Sequence, residues 1–239
     1  MECFKELVGF YAFYLFRGLL ENMERIGLGT GSTVKYFIKL FIKNDLYRGR
    51  ELFVSSLDTY YFLRRYGVES YTVNELGNDL LDFYIDGFDE ASINLDLVKG
   101  RGGAFNWEKK LASRSKLRIY IGDYTKFNNR TYLYLKLVPI EVKPDFLEEV
   151  VERVSKLGFQ PKIRYGKVRD GPVLTDGGNY IVDLKLNIIG EPKKIDQVLK
   201  GIKGVVETGV FPNELVDHLL ISGPFPGLVK IYSRRGFRE

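Results

Sequence analysis

The sequence predicts an α/β protein followed by a smaller α+β part, on three observations. Helical and strand patterns alternate through the first half, as parallel strands with helical crossovers require. After Arg130 the rhythm changes to strand, helix, strand, strand, helix, strand. The length of 239 residues, with 45% hydrophobic and 28% charged residues, allows one large or two smaller globular domains and excludes a disordered or low-complexity chain.

From the N-terminus, residues 5–16 read as a largely buried helix, 24–28 as a strand, and 33–44 as an amphipathic helix with Val34, Phe37, Ile38 and Phe41 on one face. Strand 52–55, helix 58–66, strand 81–85, helix 104–113 and strand 117–121 continue a Rossmann-like parallel sheet. Ligand sites in such sheets lie at the carboxyl ends of strands, near a topological switch point. The second part is expected to be ferredoxin-like: strand 132–142, helix 145–157 after Pro144, strand 159–165, turn 170–178, strand 180–187, helix 194–200 and strand 205–208. Apolar runs at 216–222 and 228–232 are too little for a third core and are expected to return to the first sheet. The expected domains are 1–129 with 207–239, and 130–206.

Composition narrows the function. Lys and Arg number 36 against 31 Asp and Glu, a net charge of +5. Lys35, Lys39 and Lys43 recur at helical spacing as a solvated face, and Lys109, Lys110, Arg114 and Lys116 are diluted by apolar residues. Arg234, Arg235 and Arg238 lie in a short tail. No nucleic-acid recognition signature accompanies them, so nucleic acid is not an expected partner. One cysteine, Cys3, excludes an intramolecular disulfide, and with one histidine, His218, it leaves too few soft ligands for structural zinc. A reducing, cytoplasmic setting is expected. The longest apolar run, 7–16, stops at Arg17 and falls short of the ~20 residues that span a bilayer, so no membrane is expected.

Three segments can carry chemistry. Gly27-Leu28-Gly29-Thr30-Gly31-Ser32-Thr33 joins a strand to a helix, where unpaired N–H groups and the positive helix end suit an anion. It is neither the dinucleotide fingerprint nor a Walker loop, and its three hydroxyls suit one small terminal phosphate; the plain alternative is a βα turn. Asp86-Gly87-Phe88-Asp89-Glu90 comes after strand 81–85, and because two neighbouring carboxylates repel each other's charge, one can keep its proton near neutrality and serve as an acid. The alternative is a turn in which Asp89 only caps the residues after it. Lys99-Gly100-Arg101-Gly102-Gly103-Ala104 can present N–H groups and a positive charge to an oxyanion, with Glu108 aimed back from the following helix. Otherwise Lys99 is a surface lysine and Glu108 a helix-end charge.

These residues resemble the ribose-5-phosphate isomerase type A family across nearly the whole chain. The Gly29-Thr30-Gly31-Ser32-Thr33 loop is shared with other sugar-phosphate proteins. More specific are Asp86-Gly87-x-Asp89-Glu90, then Lys99-Gly100-x-Gly102-Gly103-Ala104 with Glu108-Lys109, Asp123-x-x-Lys126, Pro139-x-Glu141-Val142, Thr175-Asp176-x-Gly178-Asn179-Tyr180 and the 204–209 segment. The resemblance implies that Glu108 is the proton acceptor and that Asp86, Asp89 and Lys99 surround the sugar. It implies that Lys126 helps bind substrate and that Lys5 lies near the phosphate. Gly29, Thr30, Gly31, Ser32, Thr33, Gly87, Phe88, Gly100, Arg101 and Gly102 complete the expected contacts. Phe88, Arg101, Trp107 and Thr125 depart from the family's usual alanine, glycine, arginine and serine.

The implied reaction interconverts ribose 5-phosphate and ribulose 5-phosphate through an enediolate, as a step of the non-oxidative pentose phosphate pathway. It needs no redox cofactor and, with a lysine to hold negative charge, need not use a metal. The implied partner is a sugar phosphate, and the implied assembly a homodimer or homotetramer. Two rivals remain: a non-catalytic sugar-phosphate regulator on the same sheet, and another superfamily enzyme. A deaminase of that superfamily would need a pocket histidine, whereas His218 lies in the tail; a coenzyme A transferase would use a glutamate nucleophile.

Overall fold

The structure is a computed structural model that describes residues 1–134, 137–166, 170–186, 188–224 and 228–234. Arg235 and Arg238 of the basic tail, Asn187 at the end of expected strand 180–187, and residues 135–136 within expected strand 132–142 lie outside the described residues. The chain forms two compact units: Met1–Phe88, Trp107–Phe127 and Asn213–Glu239 in the first, Asp89–Asn106 and Asn128–Pro212 in the second.

The first unit opens with α1 (Glu2–Leu20), β1 (Arg25–Leu28), α2 (Ser32–Lys43), β2 (Glu51–Val54), α3 (Leu57–Arg64), β3 (Tyr71–Thr72) and β4 (Leu81–Asp86). Strands β5 (Glu90–Ala91) and β6 (Leu97–Val98) belong to the second unit, and α4 (Phe105–Ser113) leads back to the first with β7 (Ser115–Asp123). The second unit then contains β8 (Leu137–Val142), α5 (Leu147–Lys156), β9 (Gln160–Ile163), β10 (Tyr180–Lys185), α6 (Pro192–Lys200), β11 (Val205–Thr208) and β12 (Val210–Phe211). The apolar tail runs become β13 (His218–Ser222) and β14 (Val229–Ser233) and join the first sheet, as expected.

That sheet has the order β14-β13-β7-β4-β1-β2-β3, parallel except for β14. Strand order reverses between β1 and β4, so the ends of these two strands form the switch point. The periodicity that predicted α2 has a physical cause: Val34, Phe37, Ile38 and Phe41 are buried with Val8, Ala12, Phe13 and Phe16 of α1 and with Ile26, Leu28, Phe83 and Ile85 of the central strands. Burying one such side chain contributes roughly 1.5–3 kcal/mol. Helix α1 runs past the expected 5–16 because Arg17 stays on its exposed side, 3.5 Å from Glu21.

The second unit's main sheet has the order β11-β8-β10-β9, antiparallel throughout. These are the fourth, first, third and second strands of the segment, the ferredoxin-like arrangement the sequence predicted. Ile140, Val142, Val182 and Leu184 pack with Val150, Val154 and Leu199 of the helices. Of the expected strand 132–142, residues 137–142 form β8, and Leu133 makes an isolated antiparallel bridge to Ile189. The Tyr132 carbonyl accepts from Asn128 Nδ2 at 2.9 Å, and the Tyr134 N–H donates to Glu90 Oε1 at 2.6 Å. Strands β5, β6 and β12 form a separate small sheet, too short to leave a period-two pattern.

Several basic residues of the sequence are ion-paired: Lys35 with Asp58 at 2.8 Å, Lys116 with Asp82 at 2.7 Å and Arg234 with buried Asp217 at 2.7 Å. Among the described residues, no helix is long and apolar enough to cross a membrane.

Candidate active site

Within the first unit the glycine-rich loop occupies the switch point. Gly29 N–H donates to the Ile85 carbonyl at 2.8 Å, tying the end of β1 to β4. A side chain at position 29 would overlap the Asp86 carboxyl group, so only glycine allows this approach. Gly31 precedes α2 at φ 115°, and Ser32 and Thr33 form its first turn. The Thr30 hydroxyl is drawn into a cluster that no sequence motif announced, 2.9 Å from Ser55 Oγ and 2.7 Å from Ser56 Oγ. Thr59 Oγ1 donates to the Gly29 carbonyl at 2.8 Å, and Ser56 caps α3 by accepting the Thr59 N–H at 3.1 Å. The pair Ser56-x-x-Thr59 after an apolar strand was a legible helix-start signal. Nothing in it showed that the hydroxyls would also brace the neighbouring loop.

Asp86 ends β4 and is fully buried. Its Oδ1 accepts the N–H groups of Thr30 at 3.0 Å and Gly87 at 2.7 Å, and its Oδ2 accepts the Tyr84 hydroxyl. The carboxylate therefore holds the loop's shape. Glu108 is buried in the first turn of α4. Burial, and then the charges of Asp86 and Glu108, push the Tyr84 and Tyr120 phenols well above their ordinary range. The two rings meet edge to face, with centroids 6.2 Å apart. Glu108 thus shares a buried, phenol-lined region with Asp86.

Phe88 is accommodated by a glycine: its ring fills the space beside Gly122, where a Cβ would come within 2.5 Å of it. Lys126 Nζ donates to the Phe88 carbonyl at 2.6 Å and lies 5.9 Å from the centre of the ring. It stands in the 3-10 turn Tyr124–Lys126, which Asp123 caps by accepting the Thr125 N–H at 3.0 Å. Lys5 pairs with Glu2 at 3.0 Å on α1.

The second unit holds the other predicted residues. Asp89 accepts the Arg101 N–H at 2.8 Å, while the Arg101 side chain is largely exposed. Lys99 is buried, with Nζ 5.7 Å from the Phe211 ring centre, and its N–H donates to the Gly209 carbonyl at 2.8 Å. Gly100 adopts φ 110°, a conformation that strains any other residue, and a Cβ there would lie 2.6 Å from Phe105 and Pro139. The Gly103 N–H closes the turn on the Gly100 carbonyl at 3.1 Å.

The first unit, a parallel sheet with a glycine-rich loop leading into a helix at its switch point, defines an α/β protein of the class that takes ligands at the carboxyl ends of its strands. Comparison with known proteins makes this specific. The family described as ribose 5-phosphate isomerase A (phosphoriboisomerase A) matches residues 52–224. The ribose-5-phosphate isomerase A of Pyrococcus abyssi is 40% identical over 207 residues, covering 84% of this chain and 88% of that protein. The ribose 5-phosphate isomerase structure from Plasmodium falciparum superimposes with a TM-score of 0.86 at 33% identity, covering 98% of this chain and 100% of the other. A D-ribose-5-phosphate isomerase in complex with phospho-erythronic acid gives a TM-score of 0.84 at 32% identity, with 98% and 99% covered. The chain belongs to the ribose 5-phosphate isomerase A family.

Proposed function

We propose that the chain interconverts ribose 5-phosphate and ribulose 5-phosphate, with Glu108 moving the carbon-bound proton. The observation that carries this reading is the family match over residues 52–224, which spans the whole 86–126 segment where the reactive side chains lie. In the open-chain aldose, the Glu108 carboxylate takes the C2 proton; the C–H electrons form the C1–C2 double bond and the negative charge passes to O1. The Lys99 ammonium and the N–H groups of Gly100 and Gly102 hold that oxygen, the Arg101 and Gly103 N–H groups being engaged by Asp89 and the Gly100 carbonyl. A hydroxyl proton then moves from O2 to O1 through Asp89, and Glu108 returns its proton to C1 to leave the ketose. Asp89 suits the relay better than Asp86, whose two oxygens already accept three hydrogen bonds.

The N–H groups at the start of α2, with Ser32, Thr33 and Lys126, grip the phosphate, and Thr30 braces the loop from behind. Phosphate binding positions the far end of the sugar. The test is purified protein with ribose 5-phosphate and a chelator, following ketose formation. Binding without turnover would favour a sugar-phosphate regulator, and loss of activity with the chelator would favour metal chemistry. The same reading has the enzyme act in the cytoplasm, without nucleic acid, as a homodimer or homotetramer, which light scattering at micromolar concentration tests.

A further inference from the structure

We propose that Arg164, the residue that follows β9, is a positioning residue that aims the hydrogen-bond donors of the 99–103 turn. Its guanidinium is held in a fork by Asp183 of β10: Nε donates to Oδ2 at 2.8 Å and Nη2 donates to Oδ1. A bidentate pair fixes the plane of the guanidinium as well as its place. The remaining nitrogen, Nη1, donates to two successive main-chain carbonyls, Gly100 at 2.8 Å and Arg101 at 3.1 Å.

Those two contacts determine where the turn's N–H groups point. In a trans peptide the C=O and N–H directions are opposed. The peptide between Gly100 and Arg101 is gripped at both ends, its carbonyl by Arg164 and its N–H by Asp89 at 2.8 Å. The next peptide has its carbonyl on the same guanidinium, so the Gly102 N–H is turned away from Arg164, to the side on which Asp89 lies. Glycine at 100 and 102 leaves these peptides free to rotate, and Gly100 is already at φ 110°. Without Arg164 the first peptide keeps the Gly103 N–H on its carbonyl and Asp89 on its N–H, but the second, between Arg101 and Gly102, loses the donor on its carbonyl and samples several orientations. A donor array works catalytically only when fixed before the charge develops. Arg164 supplies that fixation from 61 or more residues away in sequence, which is why no local motif announces it.

This inference rests on the proposed role of the turn in holding the enediolate oxygen. Arg164→Met keeps a long side chain and removes every donor. Expected are a fall in kcat of about 10- to 100-fold, the usual scale for a small misplacement of reacting groups, with KM changed less than about threefold. Inhibition by inorganic phosphate stays as in the wild type. Inhibition by phospho-erythronic acid, whose planar, negatively charged carboxylate resembles the enediolate, is expected to weaken in step with kcat. A kcat near wild type overturns the proposal, and so does a parallel loss of phosphate inhibition, which would mean general damage. If circular dichroism shows the Met variant unfolded, Arg164→Lys is read by the same three quantities. It keeps the charge opposite Asp183 but not the planar fork that reaches both Asp183 and the two carbonyls, and a selective, smaller loss of kcat supports the proposal while a uniform loss or none overturns it. An inactive wild type would defeat the proposed reaction instead, so the two failures are distinguishable.

Discussion

Asp86→Asn and Asp86→Ala are expected to differ sharply, because three donors, two of them buried and one part-buried, converge on a buried carboxylate. In the native protein Thr30 N–H and Gly87 N–H converge on Oδ1 at 3.0 and 2.7 Å, and the Tyr84 hydroxyl reaches Oδ2. Asparagine can leave its oxygen on the two N–H groups and turn its amide to Tyr84, whose hydroxyl can accept as well as donate. The expected cost is on the order of one hydrogen bond, about 1 kcal/mol. Alanine strands all three donors. At roughly 1–3 kcal/mol for each, the loss is on the order of 3–9 kcal/mol, against a total stability of about 5–15 kcal/mol. For a chain of this size that lowers the melting temperature by roughly 10–30 °C. Thermal melts followed by circular dichroism measure the first quantity, and steady-state kinetics with ribose 5-phosphate the second. With Asp86 acting as the clasp of the loop, the Asn variant keeps turnover within about tenfold of wild type, whereas loss of a proton-transfer group costs about 10²–10⁴-fold. An Ala variant that melts with the Asn variant would refute the energetics. An Asn variant with a normal melt and turnover lowered by more than about 10²-fold would return a proton-transfer role to Asp86.

Glu108→Gln keeps size and removes basicity, so turnover should fall by about 10²–10⁴-fold with little change in affinity, and deuterium from heavy water should no longer enter the carbon-bound position. A near-normal rate would remove Glu108 as the base. Lys126→Ala should raise KM, weaken competition by inorganic phosphate and flatten the salt dependence of binding; equal turnover of ribose without its phosphate in the wild type would contradict the cradle. The buried phenols of Tyr84 and Tyr120 predict alkaline lability. Their folded values stand above the ordinary 10.0, so above that pH the unfolded chain sheds protons that the folded one retains, and stability present below pH 10 is lost as pH rises past it. Each phenol can contribute up to about 1.4 kcal/mol per pH unit. Denaturation between pH 9 and 11 should show a shallower slope for Tyr84→Phe, and an unchanged slope would exclude the effect.

The architecture was largely legible because burial imposes a period. Helix α2 and strand β4 could be read directly, since one face of α2 and four of the six residues of β4 are apolar and buried. The segment after Arg130 declared its ferredoxin-like order by the succession of elements alone. Candidate chemistry was legible where it is contiguous: Gly29 to Thr33, Asp86 to Asp89, Lys99 to Gly102 and Glu108 are short strings whose residue types suit an anion, a proton and an oxyanion. What each side chain touches was not. The sequence reads the carboxylates of the 86–90 segment as neighbours of which one keeps a proton, whereas folding gives Asp86 to Thr30, Gly87 and Tyr84, and gives Asp89 to the Arg101 N–H. Thr30 looks like a phosphate ligand in the string and is drawn by Ser55 and Ser56 into a brace. Residues 132–134 look like strand; Leu133 bridges Ile189, while the Tyr132 carbonyl and Tyr134 N–H go to the side chains of Asn128 and Glu90. Strands of two residues leave no period, and partners 57 or 64 positions apart, such as Arg25 with Asp82 or Arg164 with Gly100, leave no local trace. The sequence alone determined which residues are apolar, which are reactive and in what rhythm they recur, because these are properties of single residues and near neighbours. Only the tertiary structure decided which polar groups meet, because a hydrogen bond depends on distance and direction between chain segments that the fold must first bring together.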